Sequence, residues 1–264
     1  MTLHLAAGDA AVSIDPADGG RLSALSIQGH QMLYHAGDAP DMHGSFVMAP
    51  YAGRVRDGRF SHQGTDVELP LSLPPHAAHG LALDRPWTVL ERDDTSAALS
   101  CTFDERWPFG GRVVQYVRVE AERLVQKVTV EADTTSFPAS VGWHPWFARL
   151  LGHSTPAQIG LHASAMLRRD ADYIATKQRM RPPEGPWDDC FVDVTWPVSV
   201  SWPGVLRLDV DADTNVVVVF DQGEVAVCVE PQTGPPDAFN TSPMVVRPGR
   251  PLRARTDWRW VIHP

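Results

Sequence analysis

Apolar and polar residues alternate over short stretches along most of the 264-residue chain. This is the pattern of strands that bury one face and wet the other. Leu22 to Ile27 reads Leu-Ser-Ala-Leu-Ser-Ile, and Arg112 to Glu120 and Leu124 to Val130 form a consecutive pair. Ala121-Glu122-Arg123 between them predicts a hairpin turn, although the favoured Asn-Gly or Asp-Gly pair is missing. Further strands are expected over Val205 to Val210, Val216 to Phe220, Val225 to Val229 and Leu252 to Ile262. Turn signals at Gly19-Gly20, Asp57-Gly58, Pro74-Pro75, Gly110-Gly111, Gln222-Gly223 and Pro248-Gly249 separate such segments. No window longer than two turns carries a helical period, and only a short helix near Asp170-Ala171-Asp172 is expected. Many short strands at this spacing predict an all-β sandwich or barrel. The 23 prolines act as punctuation and gather in no linker, so a single domain over 1–264 is expected.

Composition narrows the function classes. The chain is 43% hydrophobic and 21% charged, with a formal net charge of −9. That balance speaks against a nucleic-acid partner, which usually meets a basic face. No stretch has the apolar length of a membrane span, and Met1-Thr2-Leu3-His4-Leu5-Ala6 lacks the basic start and apolar core of a secretion signal. Cys101, Cys190 and Cys228 are odd in number and show no metal-type spacing. Reduced thiols and a cytoplasmic location are the expectation.

Two distant segments carry the candidate chemistry: Gly142-Trp143-His144-Pro145-Trp146-Phe147 and Val229-Glu230-Pro231-Gln232. Each is expected to place a titratable side chain where a strand breaks into loop. A lone histidine among aromatics is usually a hydrogen-bonded core residue, and a strand-end glutamate is usually exposed. Together they offer an acid active near neutrality and a carboxylate base, the two groups a proton shuttle on a polyhydroxy compound needs. Trp146 and Trp187 offer faces to the C–H side of a sugar, Arg54 a guanidinium fork, and Asp188-Asp189 an acidic pair. Asp237 and Asn240 read as turn chemistry. His76 and His79 lie three apart without a further ligand cluster, so no metal is expected. No phosphate-binding glycine loop, nucleophile elbow or redox cysteine pair is present.

Taken in order, these segments resemble the aldose 1-epimerase (galactose mutarotase-like) family. Asp18-Gly19-Gly20-Arg21-Leu22, Pro50-Tyr51-Ala52-Gly53-Arg54 and His79-Gly80-Leu81 are similar to its glycine-rich start, arginine segment and His-Gly segment. The His144 and Glu230 segments resemble its catalytic ones, and Trp187-Asp188-Asp189-Cys190-Phe191 its substrate-binding aspartate loop. Gly53 and Trp143 each stand where the family usually has asparagine, which is expected to alter recognition of sugar hydroxyls.

The resemblance implies a large antiparallel β-sandwich with a sugar site on its concave face and no cofactor. It implies interconversion of the anomers of a free aldose, with Glu230 as general base and protonated His144 as general acid. Arg54, His79, Asp188, Trp146 and Trp187 would bind the sugar, and the chain would be a monomer or homodimer. Three alternatives stay open. One is a glycoside hydrolase using Glu230 and Asp188, and another a catalytically silent sugar-binding or sensor protein. The third is a hexose-6-phosphate epimerase whose phosphate is clamped by Arg54, Arg56, Arg59 and Arg85.

Overall fold

The computed structural model of the chain describes residues 1–35 and 41–262, and these are almost entirely strand and turn. Seventeen strands join in one large curled antiparallel sheet, so the architecture is all-β as the alternation predicted. Arg112–Glu120 and Arg123–Glu131 pair residue for residue over nine positions, leaving a two-residue turn at Ala121-Glu122. One α-helical turn occurs among the described residues, at Ala238–Thr241. The segment expected to be helical near Asp170 is instead a loop. There the Asp170 carboxylate accepts the backbone N–H groups of Asp172 and Ile174 at 3.0 and 3.1 Å, a local substitute for a helix.

The curl depends on one long strand, Asp188–Trp202. Its first residues, 188–192, pair with Val216–Phe220, and its last, 198–202, pair with Leu206–Ala212. A strand shared between two partners in this way carries the sheet from one layer to the other. The main core fills the space between the layers with Val, Leu, Phe and Trp side chains, including fully buried Trp143, Trp202 and Trp258.

A second, smaller apolar cluster lies on the opposite face of the central strands and consists of Phe46, Met48, Ala52, Leu83, Trp146, Ala226 and Cys228. Central strands are therefore covered on both sides. Ala226–Gln232 is buried at every position, which is why its apolar run does not alternate. Trp143 and Phe147 point into the main core while Trp146 points to the second cluster. The two-residue period of a strand puts His144 on the Trp146 side.

Candidate active site

His144 and Glu230 do not stand where strands give way to loop, as the proline signals suggested. They lie within Gly142–Ala148 and Ala226–Gln232. These neighbouring strands pair Gly142 with Gln232 and Trp146 with Cys228, a register that sets His144 opposite Glu230. The ladder is interrupted between those pairs, where Pro145 and Pro231 withhold N–H groups. Proline thus interrupts the hydrogen bonding without ending either strand. His144 Nε2 comes 3.4 Å from Glu230 Oε1, with both side chains about 95% buried. Gln232, two residues on and on the same face, donates its side-chain amide to Glu230 Oε2 at 3.1 Å.

Aromatic and apolar groups hold the histidine. Its ring stacks between Phe46 at 4.9 Å and Trp146 at 5.0 Å. The Trp146 indole is itself fixed by its Nε1–H, which donates to the Asp41 carbonyl at 2.7 Å. His79 meets His144 edge to face at 4.9 Å and sets its Nδ1 3.3 Å from the Met48 sulfur. A thioether only accepts, so Nδ1 of His79 carries its hydrogen and Nε2 is left to accept from a ligand.

Burial dominates the electrostatics. It pushes the Glu230 carboxyl up to about 8, with the Asp188 charge adding to the effect and the Gln232 hydrogen bond and Arg54 opposing it. It pushes His144 well below the usual imidazole range, helped by His79, Arg21 and Arg54. His79 falls to about 4, again chiefly through burial. Near neutral pH burial therefore favours one proton on the pair, carried by the carboxyl. This reverses the arrangement expected from the sequence, protonated His144 beside ionised Glu230, because burial disfavours both charged forms.

The pair opens into a cavity of about 260 Å³. Arg54, His79, Asp188 and Trp146 line it, as do Gly53, Gln232 and Pro236. Of the residues expected to bind sugar, Trp187 is not brought to this lining. Its indole donates to the Pro183 carbonyl at 3.0 Å and packs on Phe191. Trp143 faces the core with no exposed surface, so its difference from the family asparagine does not reach the cavity. Gly53 does reach it, with φ of +63°.

Asp188 begins a strand rather than sitting in a free loop, and Arg169 binds its carboxylate at 2.9 Å. Three of the four arginines of the imagined phosphate clamp are engaged elsewhere: Arg56 with Asp170 and Asp172, Arg59 with Glu68, and Arg85 with Asp104. Only Arg54 lines the cavity. His76 is structural, accepting the Asp57 N–H at Nδ1 (3.1 Å) and bonding the Asp172 carbonyl through Nε2 (2.9 Å). Asp237 takes the Arg56 N–H and the Asn240 amide on one oxygen, in keeping with turn chemistry.

One donor set deserves a metal test. His144, Cys228 and Glu230 offer ligand atoms within 4.8 Å of one another. Zinc holds nitrogen, sulfur and oxygen donors at about 2.0–2.3 Å, which places them roughly 3.5 Å apart. Burial drives the Cys228 thiol well above its usual range, toward its protonated form, and Glu230 likewise toward its own. The group fits a hydrogen-bonded acid–base pair above a buried thiol better than a metal centre.

Sequence reasoning missed Phe46, Gln232 and Arg169. Gln232 was legible as the same-face neighbour of Glu230 along a strand. Phe46 and Arg169 carried no signal, because only the pairing of distant strands brings them to the site.

A family model for aldose 1-epimerase matches residues 2–259. The chain belongs to the aldose 1-epimerase family. It is 25% identical over 281 residues to the uncharacterized protein YihR of Escherichia coli K12, covering 96% of this chain and 91% of that protein. Among solved structures, the GalM/aldose epimerase homologue from C. elegans superposes with a TM-score of 0.85 at 15% identity, over 100% of this chain and 99% of the other. Galactose 1-epimerase from Lactobacillus acidophilus NCFM gives 0.80 at 16% identity, over 97% and 92%. These structural likenesses establish the fold, a galactose mutarotase-like curled sheet. No helix among the described residues is long and apolar enough to cross a membrane.

Proposed function

We propose that this member of the family is an aldose 1-epimerase, interconverting the α and β anomers of a free aldose. The observation that carries the proposal is the His144–Glu230 contact of 3.4 Å between two buried groups at the floor of a sugar-sized cavity. Glu230, as carboxylate, takes the proton from the anomeric hydroxyl while His144, as imidazolium, gives one to the ring oxygen. The C1–O5 bond breaks and the open-chain aldehyde forms. Rotation about C1–C2 presents the other carbonyl face. Closure then runs with roles exchanged: His144 takes the proton from the O5 hydroxyl, and Glu230 returns one to the carbonyl oxygen.

The shifts in proton affinity serve this cycle. A carboxylate whose affinity is raised is a stronger base, and an imidazolium whose affinity is lowered is a stronger acid. Ring opening leaves the pair in the arrangement that burial favours, with the proton on Glu230. The bond-breaking half-reaction is therefore the one that burial assists. Sugar hydroxyls arriving beside Arg54 and Asp188 supply the hydrogen bonds that sustain the charge-separated arrangement at the start.

A glycosidase reading requires Asp188 as a second free carboxylate, and Asp188 is bound by Arg169. Anomer exchange measured by NMR on a panel of free aldoses tests the proposal. Wild type should exceed the buffer rate on at least one sugar, and His144→Ala and Glu230→Gln should each lose roughly 10²–10⁴-fold. Sugar binding without acceleration of exchange would make the chain a binding protein on this fold.

A further inference from the structure

Asp188 reaches the cavity wall through a chain of contacts that begins outside it. Arg169, the last residue of the strand Gln158–Arg169, does not line the catalytic cavity. Its Nη1 donates to the Asp188 backbone carbonyl at 2.6 Å and to Oδ2 of the same residue at 2.9 Å. Its Nε lies 3.8 Å from Asp189. One guanidinium thus fixes both the main chain and the side chain of Asp188, a pre-organised fork that lysine cannot copy.

The guanidinium is held in turn by Tyr173, whose ring lies 4.4 Å beneath it. The same ring stands 5.7 Å from the guanidinium of Arg54, and the Tyr173 carbonyl accepts from Arg54 Nη1 at 3.3 Å. Tyr173 has φ of +61°, an unusual conformation for a bulky residue. The loop pays for that strain through the Asp170 carboxylate, which gathers two backbone N–H groups and the Arg56 guanidinium. Two cavity residues on separate strands, Arg54 and Asp188, are therefore registered against one aromatic ring.

We propose that Arg169 is a positioning residue that, clamped on Tyr173, fixes the Asp188 carboxylate in the cavity wall and offsets part of its charge beside Glu230. The remaining ionisable groups that act on Glu230 are His144, Arg54 and the thiols of Cys190 and Cys228, with His79 behind His144. Arg54 is the single cation among them, and it already acts in the wild-type site, so it does not replace the compensation supplied through Asp188. Removing Arg169 leaves Asp188 uncompensated and makes Glu230 hold its proton harder, and it frees the Asp188 side chain to turn from the sugar.

The test compares wild type with Arg169→Met and Arg169→Lys by ¹³C NMR titration of the Glu230 carboxyl and by KM for the turned-over aldose. Arg169→Met should raise the Glu230 midpoint by about one pH unit and KM by about tenfold. Arg169→Lys should bring the midpoint back toward wild type while KM stays high, because the charge returns without the fork. An unchanged Glu230 midpoint in folded Arg169→Met overturns the proposal. Should that variant not fold, Tyr173→Leu carries the test alone: the midpoint must rise, and an unchanged one again overturns it. The KM arm rests on the epimerase reading, whereas the titration needs no sugar. Failure of wild type to turn over any aldose would therefore strike the functional reading and leave the Arg169 result standing.

Discussion

The imidazole rings of His79 and His144 meet at 89° with their centroids 4.9 Å apart, His144 buried and His79 half-buried on the cavity wall. Neither can take a proton without placing charge in a largely desolvated site beside its neighbour. Each is driven below the usual histidine range, first by burial and then, for His144, by the other ring.

A pH profile follows from this pair and its carboxylate. The productive state holds one proton between His144 and Glu230, and such coupled groups titrate as a unit. The pair loses that proton as pH rises through about 8, so kcat/KM should fall there. The acid limb should lie well below the ordinary imidazole value of 6.5, where His144 gains a second proton. Rates of anomer exchange in matched buffers would show a plateau through neutrality. His79→Gln should move the acid limb upward, toward 6.5.

Stability should carry the same imprint. Glu230 keeps its proton up to about 8 in the folded chain, whereas the unfolded chain releases it near 4.5. Between those values the folded state binds more protons, so this carboxyl lowers stability as pH rises. Glu230→Gln has no such proton to lose. Its melting temperature, measured by calorimetry, should exceed wild type at pH 9, and the gap should narrow as pH falls toward 4.5.

Gly80 offers a backbone test of the site. Its φ is +83°, and a Cβ there would lie 2.3 Å from the Ala49 carbonyl oxygen and 2.5 Å from the Ala49 nitrogen. Gly80 and Ala49 form a bridge, and the next residue back is His79. Gly80→Ala should break that bridge, cost about 2–4 kcal/mol in denaturant unfolding, and raise KM through a displaced His79.

The two departures from the family pattern should separate experimentally. Gly53 lines the cavity at a φ of +63°, which asparagine tolerates, and an added side chain would press on Pro236 at 3.2 Å. Gly53→Asn should change the ratio of kcat/KM between aldoses. Trp143 lies in the core, so Trp143→Phe should lower stability by about 1–3 kcal/mol and leave that ratio alone.

Much of the fold was legible because strand alternation is a local signal. Arg112–Glu120, Val216–Phe220 and Leu252–Ile262 have the bounds that the pattern predicted. Strands buried on both faces were harder to read. Ala226–Gln232 runs on through Glu230 and Pro231 to Gln232, since each side of it meets a different apolar cluster. The candidate pair was legible as unusual chemistry for its setting, and the structure brings His144 and Glu230 into contact. Trp187 has an aromatic face as suitable as that of Trp146, and only the turn of the chain after Pro186 directs it to Phe191. Nothing local could distinguish the two tryptophans.

The register between Gly142–Ala148 and Ala226–Gln232 has a mechanical consequence. His144 and Glu230 face each other across the spacing of adjacent main chains, which is fixed by the sheet and not by any rim loop. Loops bearing Gly53, His79 and Pro236 can therefore be lengthened, trimmed or exchanged while the distance between the two proton carriers holds. A slip of one residue between those strands, by contrast, would turn Trp143 or Val229 toward the cavity and send an ionisable group into the core. Substrate choice can drift at the rim while the proton machinery stays locked to the frame.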